Sequence, residues 1–284
     1  MIEIEQFFVH QNYRKNFLLQ TKSCKKSVFL QKNDETMNIS LELVPRTEQY
    51  ICEQASFVEQ AIPQISAFNF PDLLRFDIRS WDACRMIVHS PLERITHLRA
   101  IDFDMHQPFP LTDFLKVNRI RKALVIEGDK PQDMKHAIYP TSSVELIRKL
   151  KKEAGDITIY AAFDPYRNNI RYELEYLQQK IEAGATGFFS QPFFDLRLLE
   201  IYSEYLEGHD VYWGISPVTG ERAKLYWETR NRAIFPKSFK PTIDWNIRFG
   251  QAVMDFCKKS GFNLYLMPIK IDLKGYLKRL FEKG

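Results

Sequence analysis

Eight short apolar runs rich in β-forming residues, each followed by a helix-like stretch, constrain the fold of this 284-residue sequence most strongly. Eight such alternations of strand and helix within about 250 residues are typical of a (β/α)8 TIM barrel. A doubly wound open sheet is the alternative, but no strand precedes a GxGxxG or GxxxxGK[ST] loop. We therefore expect an α/β chain with a (β/α)8 catalytic domain over residues 37–284 and an N-terminal extension, residues 1–36, packed on the barrel. The predicted strands cover residues 38–44, 65–70, 94–101, 123–127, 157–163, 186–190, 211–215 and 263–269.

The overall composition excludes several classes of protein. Apolar residues make up 45% and charged residues 27%, which is ordinary for a globular chain. The net charge of +4 is spread along the sequence without a basic stripe, so we expect no nucleic-acid partner. No apolar run reaches the roughly 18–20 residues of a membrane helix. Because Glu3 and Glu5 are also unlike a targeting segment, we expect a cytoplasmic protein with no membrane partner.

The four cysteines show no CxxC spacing, and no cluster of metal-ligating residue types is visible in the sequence. We therefore predict neither a disulfide framework nor a metal site, and we interpret the thiols as buried or idle. The cysteines are Cys24, Cys52, Cys84 and Cys257.

Polar residues lie at the ends of six successive predicted strands. In a (β/α)8 barrel the active site is built at the carboxyl ends of the strands, so these residues are the first candidates for function. They include Glu42, Asn69, His97, Asp129, Asp164 and Gln191.

The segment ELEYLQQKIEAGATGFFSQPFFD, residues 173–195, closely resembles the signature of methylenetetrahydrofolate reductases. That signature has an acidic residue, a lysine seven residues later, an AGA turn and a strand ending in Q-x-F-F-D. Weaker matches occur in the family's order along residues 36–280. They are ISLELVPRT (39–47), FNFPD (68–72), THLRAID (96–102), ALVIEGDKP (123–131) and AAFDP (161–165).

The resemblance implies a flavoprotein oxidoreductase of folate one-carbon metabolism and methionine biosynthesis. Members of this family are (β/α)8 barrels that pass hydride from NADH or NADPH through FAD to 5,10-methylenetetrahydrofolate, giving 5-methyltetrahydrofolate. They are commonly homo-oligomers, and some short members work with an electron-donor partner subunit. We expect the same folate substrate and these partners for this chain.

Glu42 is the predicted catalytic acid. Strand alternation places it on the same side as Ser40 and Val44, and a carboxylic acid inside a barrel mouth has a raised pKa. The substrate's imidazolidine ring must be protonated before its methylene carbon can accept hydride, and the resemblance assigns that proton to the matching glutamate. The alternative is a structural glutamate paired with a lysine or arginine.

The resemblance assigns three further residues to the substrate. Asp129 and Gln191 would hydrogen-bond the pterin, and the resemblance gives Asp129 a catalytic role as well. Tyr226, in GISPVTGERAKLYWE, would stack on folate or nicotinamide. The alternatives are a turn aspartate, a loop amide and a core aromatic ring.

The same resemblance places ten residues against the flavin. Glu173 and Lys180 lie seven residues apart on one predicted helix face, and they would contact its ribityl and phosphate region. The predicted cofactor-binding residues are Asn69, Phe70, His97, Gly128, Asp129, Tyr139, Phe163, Glu173, Tyr176 and Lys180.

Some positions depart from the family pattern. Glu127 replaces an arginine that helps hold the flavin, Phe163 replaces a tyrosine, and Arg99 replaces a threonine. A rearranged FAD site, another flavin or no flavin are therefore open. The alternative functions are a flavin-free folate-binding methyltransferase and a non-catalytic barrel that binds folate or flavin.

Overall fold

Eight parallel strands close into a barrel in which each strand pairs with the next along the chain and the eighth pairs with the first. The computed structural model describes residues 37–130 and 136–282, and the unit that holds the barrel begins at Met37. The predicted (β/α)8 fold is confirmed. The extension predicted over residues 1–36 lies outside the described residues.

All eight predicted strands are present, and each observed boundary lies within three residues of the expected one. The strands are β1 (Ile39–Glu42), β2 (Ala67–Phe70), β3 (Glu93–Arg99), β4 (Lys122–Ile126), β5 (Thr158–Phe163), β6 (Gly187–Ser190), β7 (Asp210–Ile215) and β8 (Asn263–Leu266). The helices are α1 (Glu48–Ala61), α2 (Ser80–Met86), α3 (Thr112–Val117), α4 (Ser143–Glu153), α5 (Ile170–Ala183), α6 (Leu196–Tyr205), α7 (Glu221–Arg230), α8 (Ile243–Ser260) and α9 (Leu273–Phe281).

Side chains alternate along each strand between the barrel interior and the layer beneath the helices. The interior is filled largely by aromatic rings: Phe189 stacks on Tyr212 at 4.2 Å between centroids, and Tyr160 and Tyr265 meet Phe189 edge-on, each at 5.1 Å. The alternate strand residues join a larger apolar core against the helices. The interior is therefore a packed floor, and it leaves its carboxyl end for a site.

Two helices of the barrel are closed by residue types that commonly cap helices. Ser142 caps α4 in a capping box with Glu145, in which each side chain bonds the other residue's backbone N–H. Gly184 ends α5 in the left-handed conformation at φ 118°, which suits glycine. The start of α4 lies at the carboxyl end of the barrel, where the Ser143 N–H donates to Glu127, and Gly184 lies at the opposite end, just before β6.

Membrane-spanning helices and metal-binding clusters are both missing from the described residues. No helix within them has the length and apolar character needed to cross a membrane. Among the same residues, no three or more His, Cys, Asp or Glu side chains are grouped so that they could hold a metal ion.

Candidate functional site

Glu42 ends β1 with its side chain on the interior face of the barrel. The hydroxyl of Tyr265, on the neighbouring strand β8, donates a hydrogen bond to its carboxylate. Desolvation raises the pKa of Glu42 to about 7, and the hydrogen bond from Tyr265 opposes that rise without cancelling it. Glu42 can therefore hold a proton near neutral pH and release it to a bound molecule. The alternation predicted from the sequence is confirmed, and no lysine or arginine neutralises this carboxyl group in the described part of the chain.

Two interior residues from β2 and β3 form a second polar pair at this end. The His97 ring donates through Nε2 to the Oδ1 of Asn69, and both side chains are buried. Burial lowers the pKa of His97 to about 3, so the ring is neutral. The Asn69 Nδ2 has no hydrogen-bond partner among the described residues. Because unpaired buried donors are rare in folded proteins, this amide marks a position that a bound molecule could complete. We call Glu42, Asn69, His97 and Tyr265 the inner site.

A cavity of about 310 Å³ opens beside Glu42. Its wall carries three cations, Arg46, Arg75 and Lys270, brought from the segments after β1, β2 and β8. Arg46 lies over the ring of Tyr50, with 5.2 Å between the guanidinium carbon and the ring centroid. None of the three cations forms an ion pair with another described residue. The cavity thus joins one proton donor to an electropositive wall, which suits an anionic substrate.

Sequence reasoning did not find this wall. Arg46 lies within the matched segment ISLELVPRT, so the resemblance held a signal for it. Arg75 and Lys270 lie far apart in the sequence and outside the motif segments that resemble the family, and only barrel closure brings them to one cavity.

Asp129 and Gln191 lie at the ends of β4 and β6, with exposed side chains. Gly128 takes φ +90° before Asp129, and a β-carbon there would lie 3.0 Å from the Arg99 side chain. The Arg99 guanidinium donates to the Asp129 carbonyl, while the Gln191 N–H donates to the Phe163 carbonyl at 2.8 Å. The backbones are held, and both polar side chains remain available to a ligand.

A second cluster lies where β4 and β5 meet α4 and α5. The Glu127 carboxylate accepts hydrogen bonds from the Ser143 N–H at 3.1 Å, the Ser143 hydroxyl at 2.6 Å and the Tyr176 hydroxyl. Lys180 lies over the Tyr176 ring at 4.2 Å and donates to the Ala162 carbonyl at 2.6 Å. Glu173 is buried and accepts from the Asp164 N–H. We call Glu127, Ser143, Glu173, Tyr176 and Lys180 the outer cluster.

The structure corrects the placement of two predicted cofactor residues. Phe70 and Phe163 are buried on the helix-facing side of their strands, in the core outside the barrel interior. The Phe163 ring packs at 5.8 Å from Tyr202 and 5.9 Å from Trp213. Their rings stabilise the barrel and do not line the mouth, because alternation directs them to the opposite face from Asn69 and Ala162.

Two other predicted contacts lie at the edge of the site. Tyr226 is 58% exposed on α7, and the ring that it contacts is Trp227, at 6.4 Å between centroids. Tyr139 is partly buried, and its N–H donates to the Ile101 carbonyl at 2.8 Å. Neither ring is joined to the inner site by a contact among the described residues.

Fold and site together define a (β/α)8 barrel protein in which a carboxyl group of raised pKa, Glu42, and several polar residues gather at the carboxyl ends of the strands, where barrel enzymes have their active sites. The family model described as methylenetetrahydrofolate reductase matches residues 31–223. The chain therefore belongs to the methylenetetrahydrofolate reductase family, as the sequence motifs predict.

Individual relatives are distant. The 5,10-methylenetetrahydrofolate reductase of Buchnera aphidicola subsp. Schizaphis graminum (strain Sg) is 27% identical over 101 residues, which is 35% of each chain. Its counterpart in Buchnera aphidicola subsp. Baizongia pistaciae (strain Bp) is 23% identical over 154 residues, 52% of each. The matched region thus spans between a third and about half of these curated relatives.

Solved structures share the architecture at lower identity. Oxaloacetate acetylhydrolase in complex with the inhibitor 3,3-difluorooxalacetate has a TM-score of 0.54 at 10% identity, covering 84% of this chain and 76% of that one. A 2,3-dimethylmalate lyase of the PEP mutase/isocitrate lyase superfamily has a TM-score of 0.50 at 12% identity, covering 84% and 75%. These similarities show the barrel fold alone.

The flavin implied by the resemblance can be compared with the residues present. The ring end fits, since Asn69 has an unpaired donor and His97 is neutral. The phosphate end does not fit FAD, because the Glu127 carboxylate already accepts the Ser143 N–H and Lys180 is already bound to a carbonyl. Glu127 and Lys180 are thus engaged by the chain itself, and the buried atom of the outer cluster that lacks a partner, Glu173 Oε2, is an acceptor, so the cluster offers no open anion site.

Proposed function

We propose that this chain binds 5,10-methylenetetrahydrofolate at the carboxyl end of the barrel and reduces it to 5-methyltetrahydrofolate, with a reduced nicotinamide as hydride donor. The observation that carries the proposal is Glu42, a desolvated carboxyl group with a pKa of about 7 at the position where the family places its acid. A proton from Glu42 to a ring nitrogen of the substrate breaks one C–N bond of the imidazolidine ring. The resulting iminium carbon then takes hydride from the nicotinamide, which leaves oxidised, and becomes the methyl group.

The polar side chains at the mouth match the two ends of a folate. The exposed Asp129 carboxylate accepts hydrogen bonds, and the Gln191 amide both donates and accepts, as a pterin's amino-pyrimidine edge requires. The cations on the cavity wall, Arg46, Arg75 and Lys270, suit the carboxylates of the glutamate tail. This division places the ring that reacts near Glu42 and the charged tail along the cavity wall.

FAD has no part in this proposal, because the outer cluster does not fit its diphosphate. A reduced nicotinamide balances the reaction without it, since one hydride and one proton convert the methylene substrate to the methyl product. The cytoplasmic location, the homo-oligomer and the electron-donor subunit stay predictions of the sequence and its resemblance.

The test follows hydride from donor to product. Purified protein is mixed with 5,10-methylenetetrahydrofolate and NADH or NADPH deuterated at C4, and 5-methyltetrahydrofolate is analysed by mass spectrometry. Deuterium in the methyl group of the product, formed without added flavin, is the expected result. Folate binding without product with either donor would contradict the proposal and favour the non-catalytic alternative, and methyl transfer from a methylated folate to another acceptor would favour the methyltransferase.

The variant Glu42→Gln tests the proton donation by Glu42 separately from folate binding. It retains most of the size of the side chain but cannot supply the proton, so product formation should fall by about 10²–10⁴-fold. Folate affinity measured by titration should stay within roughly threefold. Glu53→Gln, at an exposed residue of α1, is the matched control and should keep the parent rate. A Glu42→Gln variant that turns over at the parent rate would place the proton donor elsewhere.

A further inference from the structure

We propose that Glu127 excludes the diphosphate of FAD from the outer cluster, so that FAD is not a resident cofactor of this chain. The inference concerns a binding preference, and it stands whether or not the folate reaction proposed above is correct. It rests on three features of the cluster: its charge, its use of helix N–H groups, and the confinement of its lysine.

The first feature is the balance of charge around Lys180. The charged groups that act on this ammonium are Glu173 and Glu127, which favour its charge, and Arg167, which opposes it. Two carboxylates thus face two cations. A doubly charged diphosphate would enter a space with no surplus of positive charge, and it would lie against the Glu127 carboxylate.

The second feature is the start of α4. A helix N-terminus attracts phosphate because its first N–H groups lack partners within the helix. Here Glu127 accepts the Ser143 N–H at 3.1 Å, Glu145 accepts the Ser142 N–H at 2.8 Å, and Ser142 accepts the Glu145 N–H at 3.3 Å. Carboxylates and a hydroxyl of the chain therefore already engage three of the N–H groups at this helix start that an anion would use.

The third feature is the lysine itself. Lys180 is 2% exposed, and its ammonium is held between the Ala162 carbonyl, 2.6 Å away, and the Tyr176 ring. Of the nearby arginines, Arg167 supplies a single exposed charge, and Arg99 donates to the Asp129 carbonyl and lies 3.7 Å from Asp102. The Nε of Arg99 has no partner among the described residues, but its charge is offset by Asp102. Reaching a phosphate would require Lys180 to leave two favourable contacts.

The proposal predicts an order of affinities among flavins that share one ring. Riboflavin has no phosphate, so the intact parent protein should bind it at least as tightly as FMN or FAD. Fluorescence titrations of the full chain with the three flavins measure this order. Parent protein that purifies with bound FAD, or binds FAD more than about tenfold tighter than riboflavin, would overturn the proposal.

Two variants test Glu127 itself. Glu127→Gln removes the charge and retains a hydrogen-bond acceptor for Tyr176 and Ser143, and Glu127→Arg reverses the charge. The ratio of FAD to riboflavin affinity should rise by at least about tenfold in the Gln variant and about a hundredfold in the Arg variant. Glu182→Gln, at an exposed residue of α5 outside the outer cluster, removes one charge and should change the ratio by less than about threefold.

Thermal unfolding monitored by circular dichroism shows which variants are folded. If the Arg variant does not fold, the Gln variant decides the matter. A folded Glu127→Gln protein whose affinity ratio equals that of the parent would refute the role of Glu127. Equal increases in Glu127→Gln and Glu182→Gln would refute it too, since the effect would then belong to the net charge of the protein.

Discussion

Tyr265→Phe removes the hydrogen bond that Glu42 accepts from the Tyr265 hydroxyl. The Tyr265 hydroxyl stabilises the ionised carboxylate, and this contact lowers the pKa of Glu42 while desolvation raises it. Replacing the hydroxyl with hydrogen leaves the desolvation and removes the opposing contribution. The pKa of Glu42 should therefore rise above its value of about 7.

The size of the rise follows from the strength of this hydrogen bond in the two protonation states of Glu42. A hydrogen bond to an ionised group contributes about 1.5–3 kcal/mol, and one to a neutral group about 0.5–1.5 kcal/mol. The difference favours the carboxylate by roughly 1–1.5 kcal/mol, and one pKa unit corresponds to about 1.4 kcal/mol. We therefore expect the pKa of Glu42 to rise by about one unit.

The pH dependence of the folate reaction reports this pKa. Because protonated Glu42 supplies the proton, kcat/KM for 5,10-methylenetetrahydrofolate should be constant below the pKa and fall above it. The falling limb should lie near pH 7 in the parent and about one unit higher in Tyr265→Phe, measured with saturating donor from about pH 5 to pH 10. At alkaline pH the variant should be faster than the parent.

A matched variant controls for loss of a tyrosine hydroxyl in the interior. Tyr212 also fills the barrel, stacked on Phe189, and has no contact with Glu42 among the described residues. Tyr212→Phe should leave the alkaline limb where it is in the parent. An unshifted limb in Tyr265→Phe, or a limb that moves to lower pH, would refute the assignment of this pKa to Glu42.

Two further predictions concern the cations of the cavity wall and Phe163, whose ring lies in the core outside the barrel interior. The double variant Arg75→Ala/Lys270→Ala should raise KM for the folate by about tenfold or more and leave kcat nearly unchanged. The reason is that these charges bind the glutamate tail, which lies away from the reacting ring. A fall in kcat with KM unchanged would contradict this. Phe163→Ala should lower the free energy of unfolding in urea by about 3–5 kcal/mol, because the ring is 2% exposed within an aromatic cluster. Riboflavin affinity should stay within roughly threefold. A loss of riboflavin binding in the folded variant would show that Phe163 belongs to the ligand site after all.

Local pattern and the family signature determined much of this protein before its structure. Short apolar runs placed the eight strands, and Ser142 and Gly184 are residue types that commonly begin and end helices, as they do in the structure. Strand alternation placed Glu42 in the interior. These features depend on residues a few positions apart, so the sequence carries them directly.

Tertiary structure alone decided which side chains meet. Tyr265 reaches Glu42 across 223 positions of sequence, because β8 closes the barrel against β1. Arg75 and Lys270 share one cavity for the same reason. Such pairs depend on strand register and barrel closure, which no short segment encodes.

The outer cluster shows the same limit for a charge change that the sequence did reveal. Glu127 could be recognised from its position in ALVIEGDKP as a departure from the family pattern. Its consequence depended on where α4 and α5 pack: they bring Ser143 and Tyr176 to the carboxylate and hold Lys180 against a carbonyl. A carboxylate can be read from the sequence, but the groups that satisfy it come from separate elements, and only their packing determines whether an anion site remains.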